Sequence, residues 1–150
     1  MQEITATDLY RLAMSPLYVF HLVASAHVAP DRISQRQIVR SIECGLKWKL
    51  PLSERVFQWL RCNLHEFYAD FSEEDTIHSP EHWHKELQLL KERLDTLAVS
   101  EDMVADFKEA LTGLARFVAE GGAFRQKIQD EPMRRRVEWI RKILDGKHCA

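Results

Sequence analysis

The sequence predicts an all-α fold, a single compact bundle of about seven helices, and three observations carry that expectation. Apolar residues recur at intervals of three and four along most of the chain, without the strict alternation of a half-buried strand. Four times an aliphatic residue, a Ser or Thr, and an apolar residue five positions after the first stand together: Ile4-Thr5 with Leu9, Ile33-Ser34 with Ile38, Leu52-Ser53 with Phe57, and Val99-Ser100 with Val104. Each hydroxyl can accept from an orphaned backbone N–H while the apolar pair fixes the entry angle of the helix. Ile77 to Ser79, followed by Pro80, is a looser form of the same signal. The third observation is size: 150 residues, 45% of them apolar, suffice for one core and fit one domain spanning 1–150.

The elements follow in order. Thr5 opens a short helix through Leu9 and Leu12, and Pro16 suits the first turn of the next. That second helix runs to about Ala29 and is apolar on nearly every side, which implies a central position. Pro30 ends it. Ser34 opens a third, with Gln37 completing a capping box and Ile38, Val39, Ile42 and Leu46 on the apolar side. Lys49-Leu50-Pro51 is the next break, and from Ser53 the residues Val56, Phe57, Leu60, Leu64, Phe67 and Phe71 predict one long amphipathic helix.

The polar run Ser72 to Ser79 is a loop, or a loop with one helical turn. After Pro80, Trp83, Leu87, Leu90, Leu94 and Leu97 form a seam that would face the preceding helix. Ser100 caps a helix burying Val104, Phe107, Ala110, Leu111, Leu114, Phe117 and Val118, within which Gly113 predicts a close helix crossing. Gly121-Gly122 ends it, because glycine reaches left-handed angles freely. A last helix follows Pro132, with Met133, Val137, Ile140 and Leu144 inward and the arginines outward.

The longest apolar stretch, Leu17 to Ala29, is interrupted by His21, Ser25 and His27 and is shorter than the roughly 20 residues a bilayer requires, so no membrane insertion is expected. No basic stretch leads into an apolar segment at the start, and Cys44, Cys62 and Cys149 show neither an even number nor CxxC spacing. A reducing, cytoplasmic setting is the expectation. Net charge is only −2, but residues 1–65 hold 8 basic and 5 acidic groups, 66–109 hold 4 and 13, and 110–150 hold 9 and 5. Such asymmetry either makes a surface for a charged partner or lets the ends of the chain pack beside an acidic centre.

Two stretches share one layout. The helix Leu17 to Ala29 meets the turn Pro30-Asp31-Arg32-Ile33 and a capped helix; Phe107 to Glu120 meets Gly121-Gly122 and, later, the helix from Pro132. The run Leu22-Val23-Ala24-Ser25-Ala26-His27-Val28-Ala29-Pro30-Asp31-Arg32-Ile33-Ser34 resembles the helix-turn-helix entry of the tellurite-resistance TerB-like domains. Asp31, Ile33 and Ser34 match its pattern, whereas Arg32 stands where glycine is usual, and Glu120 stands in the second half where aspartate is usual. The resemblance implies an all-α fold with two similar halves and an association with stress responses. It links acidic turn residues to divalent metal, but the departures mean that no metal site is carried over; Asp31 and Glu120 are the positions it marks.

Histidines are the usual acid, base or ligand near neutral pH. His78, His82 and His84 cluster around Pro80, yet His82 and His84, two apart, point away from each other on a helix. His65 with Asp70 lacks the remaining ligand pairs of a di-iron bundle, and His65-Glu66 lacks a second histidine. His21 and His27 lie in the apolar helix: either satisfied core histidines, with Ser25 a partner for His21, or the wall of a small-ligand pocket. No nucleophile elbow, phosphate loop or HExxH motif supports catalysis, and no cofactor or metal is assigned. The last helix presents Arg134, Arg135, Arg141 and Lys142 around Trp139, residue types favoured as interface anchors. The sequence therefore predicts a non-enzymatic helical interaction module that binds a protein partner through that face, with self-association compatible. The alternative is a small-ligand or divalent-metal-binding helical protein; nucleic acid is disfavoured by the acidic middle.

Overall fold

The computed structural model describes residues 5–28, 32–73, 80–97, 99–125, 127 and 130–146. Ile4, Pro30, Asp31, Ile77, His78, Ser79, Lys147 and Cys149 therefore lie outside the described residues. Seven α-helices are found among those described: α1 (Ala6–Ala24), α2 (Gln35–Leu46), α3 (Pro51–Cys62), α4 (Leu64–Glu73), α5 (Pro80–Thr96), α6 (Glu101–Ala119) and α7 (Glu131–Asp145), with a 3₁₀ turn at Gly122–Phe124 between the last two. No strand occurs among the described residues.

The predicted number is met although several boundaries differ, and the apolar helix expected to reach about Ala29 ends at Ala24. Pro16 does not begin a helix; it sits inside α1, which runs unbroken from Ala6. A proline there lacks the N–H that would bond the Leu12 carbonyl, and the hydroxyl of Ser15 donates to that carbonyl instead. In the other direction, the long helix expected through Phe71 is divided at Asn63. The Asn63 backbone leaves helical geometry there, at φ −121° and ψ 22°, and its side-chain amide joins its own N–H in donating to the Trp59 carbonyl, at 2.9 and 3.1 Å.

Three cap assignments match the sequence reading. Thr5 accepts from Asp8 N–H, Ser100 from Met103 N–H, and Ser34 and Gln37 form the reciprocal capping box. Ser53 is the exception: α3 starts two residues earlier, at Pro51, and the Ser53 hydroxyl turns back to donate to the Leu50 carbonyl. Proline at the first helical position, its φ already set, is the stronger start signal here.

Helix α1 is the centre of the bundle. Every residue from Leu12 to Ala24 is buried, against α5 and α6 most extensively and also α3 and α7. The first helices of the two predicted helix pairs, α1 and α6, pack on each other; α2 packs on α6 more than on α1, whereas α7 packs most on α6 and also on α5 and α1. Two arginines link the pairs. Arg40, the sixth residue of α2, donates to the Ala123 carbonyl beyond α6 at 2.9 Å, and Arg136, the sixth residue of α7, donates to the Leu22 carbonyl of α1 at 2.9 Å. The halves share this layout without superposing by residue. Counted from their N-caps, Ser34 and Asp130, the two arginines coincide, but the buried sets Ile38-Ile42-Gly45 and Met133-Val137-Ile140 coincide only after a shift of one position.

Gly113 is explained by a side chain rather than by a helix crossing. The Trp48 indole, from the connection between α2 and α3, lies over it, and a Cβ added there would stand 2.8 Å from Trp48 Cη2. Gly121, at φ 90°, ends α6 as expected.

Candidate functional site

The outer face of α7 is built by its own periodicity. Met133, Val137, Ile140 and Leu144 are buried, which turns Arg134, Arg135, Glu138, Trp139, Arg141 and Lys142 to solvent. Asp130 starts the helix by accepting from Met133 N–H, with Pro132 in the first turn, and Gly146 ends it in the left-handed conformation.

Trp139 is 45% exposed, unusual for so large an apolar side chain. It is nevertheless held. The Arg136 guanidinium stands over its ring at 5.3 Å, and His84 of α5 meets it edge-on with centroids 6.3 Å apart. Arg136 is itself fixed from below by its bonds to the Leu22 carbonyl and, at 3.4 Å, to the Ser25 hydroxyl. The expectation that all arginines of the last helix point outward is corrected: Arg136 is half-buried because it caps the C-terminal carbonyls of α1, where a cation is favoured. Burial lowers its pKa from the ordinary value, with the carboxylate of Glu81 opposing.

Helical spacing divides the predicted set. Arg135 and Lys142 lie four and three residues from Trp139 and flank it, whereas Arg134 is five residues away on the other side of the exposed surface. Arg141 lines a separate cleft of about 920 Å³ between α6 and α7, with Lys108, Thr112, Arg116 and Leu144. Arg135–Glu131 at 3.6 Å and Arg141–Glu138 at 3.7 Å are long, solvent-exposed pairs of little energetic weight, so their cations remain available. Arg134 and Lys142 have no ion pair among the described residues.

The two histidines of α1 and its extension occupy unlike places. His21 is buried in an aromatic cluster with Phe20, Tyr68, Phe71 and Trp83, and its Nδ1 donates to the Leu17 carbonyl at 2.9 Å. Ser25 is not its partner; that hydroxyl donates to the Leu22 carbonyl. His27 lies past the helix end, exposed, with Nδ1 2.8 Å from the Asp130 carboxylate and its ring beside Phe124. Neither lines the α6–α7 cleft or a second cleft of about 590 Å³ between α1 and α5. His82 turns to Tyr18 while His84 turns to Trp139, the divergence expected of positions two apart. Among the described residues no group of three or more His, Cys, Asp or Glu side chains is placed to hold a metal ion. No helix among them is long and apolar enough to cross a membrane.

The feature that sequence reading missed is the link between the two turns. His27 and Asp130 are 103 positions apart, and only Asp130, preceding Pro132 at a helix start, carried a local signal. Comparison with known proteins returns no match to any protein-family model, to any curated protein or to any solved structure.

Proposed function

We propose that this protein is a non-enzymatic helical interaction module of the cytoplasm, and that it binds an acidic protein surface through Trp139 with Arg135 and Lys142. The observation that carries the reading is a large aromatic ring left half in solvent yet immobilised by Arg136 and His84. A ring already fixed loses little conformational freedom on binding, and Trp flanked by Arg is the composition of an interface hot spot. Cations with weak local partners add attraction for a carboxylate-bearing surface and speed encounter. A TerB-like arrangement, with its stress-response association, belongs to this reading on the strength of the run Leu22 to Ser34 alone.

The test is affinity capture from the native host with wild-type protein, Trp139→Ala and Arg135→Glu/Lys142→Glu. The reading expects one or more proteins retained by the wild type and lost from both variants. It fails if both variants retain the same proteins as the wild type.

A further inference from the structure

A second cationic site lies at the opposite turn. Arg36 and Arg40 are four residues apart on α2, so their side chains rise from neighbouring positions on one face. Arg40 reaches across to the turn after α6 and donates to the Ala123 carbonyl at 2.9 Å. Two residues further on, Arg125 holds φ 55°, a left-handed conformation that costs a residue with a Cβ. The turn after α6 thus receives one guanidinium group from α2 and carries a second of its own.

Three features of this arrangement are unfavourable as it stands. Like charges four apart on a helix destabilise it. The first turn of α2 contains Arg36 and no acidic residue, placing a cation at the positive end of the helix dipole. None of the three arginines forms an ion pair with a carboxylate among the described residues. The nearest acid on α2, Glu43, is engaged by Arg61 at 2.9 Å. Partial burial, together with the charges of Arg125 and Arg36, pulls the Arg40 pKa down from its ordinary value, and no carboxylate counters that pull. It remains a cation, as arginine does in proteins.

We propose that Arg36, Arg40 and Arg125 form a binding site for a small, multiply charged phosphate anion of the diphosphate class. Such an anion removes the first two penalties at once, and guanidinium forks match phosphate oxygens in bidentate geometry. Arg40, held by the Ala123 carbonyl, keeps its remaining N–H groups for the ligand. Arg36 and Arg125 are exposed, one a helical turn before Arg40 on α2 and the other two residues after the carbonyl that Arg40 holds.

Calorimetric titration with pyrophosphate and, separately, ADP tests this at fixed ionic strength, with sodium chloride as the reference. The protein should bind one or both, and Arg125→Gly should weaken binding at least tenfold. Glycine suits the positive φ, so that variant should melt no lower than the wild type in chloride. Arg36→Ala provides a second variant with the same expected loss. Binding of neither anion beyond the chloride response overturns the site, as does undiminished affinity in both variants.

Discussion

Replacing Arg136 by Leu isolates the contact that joins the last helix to the first. The guanidinium donates at 2.9 Å to the Leu22 carbonyl, whose residue is fully buried, and stands 5.3 Å from the Trp139 ring. A hydrogen bond involving a charged group contributes about 1.5–3 kcal/mol, and partial exposure of Arg136 places it at the lower end of that range. An exposed cation–π contact adds about 0.5–1 kcal/mol. The substitution should therefore cost about 2–3 kcal/mol. For a chain of this size that lowers Tm by roughly 5–10 °C. Urea unfolding followed by helical circular dichroism reads the difference, with Arg134→Leu as the control. Arg134 is exposed and should change stability by no more than about 0.5 kcal/mol. If the two variants lose the same stability, Arg136 does not hold α7 on α1.

The Asp130 carboxylate both caps α7 and meets His27, so Asp130→Ala should cost about 1–2 kcal/mol; adding His27→Ala to that variant should cost less than His27→Ala costs the wild type, as a double-mutant cycle will show. The Asp95 carboxyl is held below its ordinary pKa first by the hydrogen bond from Lys91, then by Lys108, with burial opposing. A lowered folded-state value means that the contribution is present above about pH 4 and lost as pH falls through the lower folded value. Urea unfolding at pH 7 should find Asp95→Asn less stable by at most about 1 kcal/mol, since the side chain is 40% exposed, and the gap from wild type should close in acid. Burial raises the Cys44 pKa, with Lys47 partly offsetting it, while Cys62 is exposed. With Cys149 replaced by Ser, a thiol reagent at pH 8 should label Cys62 before Cys44, as peptide mass spectrometry will register.

What the sequence revealed and what it withheld follow from the range of the interactions. Caps at Thr5, Ser34 and Ser100 and the apolar faces of α2, α5, α6 and α7 depend on residues within one or two turns, and local spacing identified them. Pro16 misled because its helix-breaking effect is offset by the hydroxyl of its neighbour Ser15, backed by burial on all sides of α1. Asn63 misled in the opposite sense: the apolar period runs through it, and the division shows in its non-helical backbone and its side-chain bond to Trp59. The outward face of α7 and the exposure of Trp139 were legible. The inward turn of Arg136 was not, because its acceptor lies 114 positions away. The grouping of Arg125 with Arg36 and Arg40 likewise requires two distant elements to meet, which periodicity cannot express.

The central claim is that Trp139 anchors a partner, and a photo-crosslinking residue placed at the neighbouring exposed Glu138 tests it most directly in the living host. The account predicts a discrete crosslinked protein that disappears with Trp139→Ala, while the variant stays folded with a Tm lower by no more than roughly 5 °C, the cost of losing the Arg136 contact and a half-exposed ring. The same crosslinked protein persisting undiminished in Trp139→Ala, or no crosslink to any protein from Glu138, would contradict it.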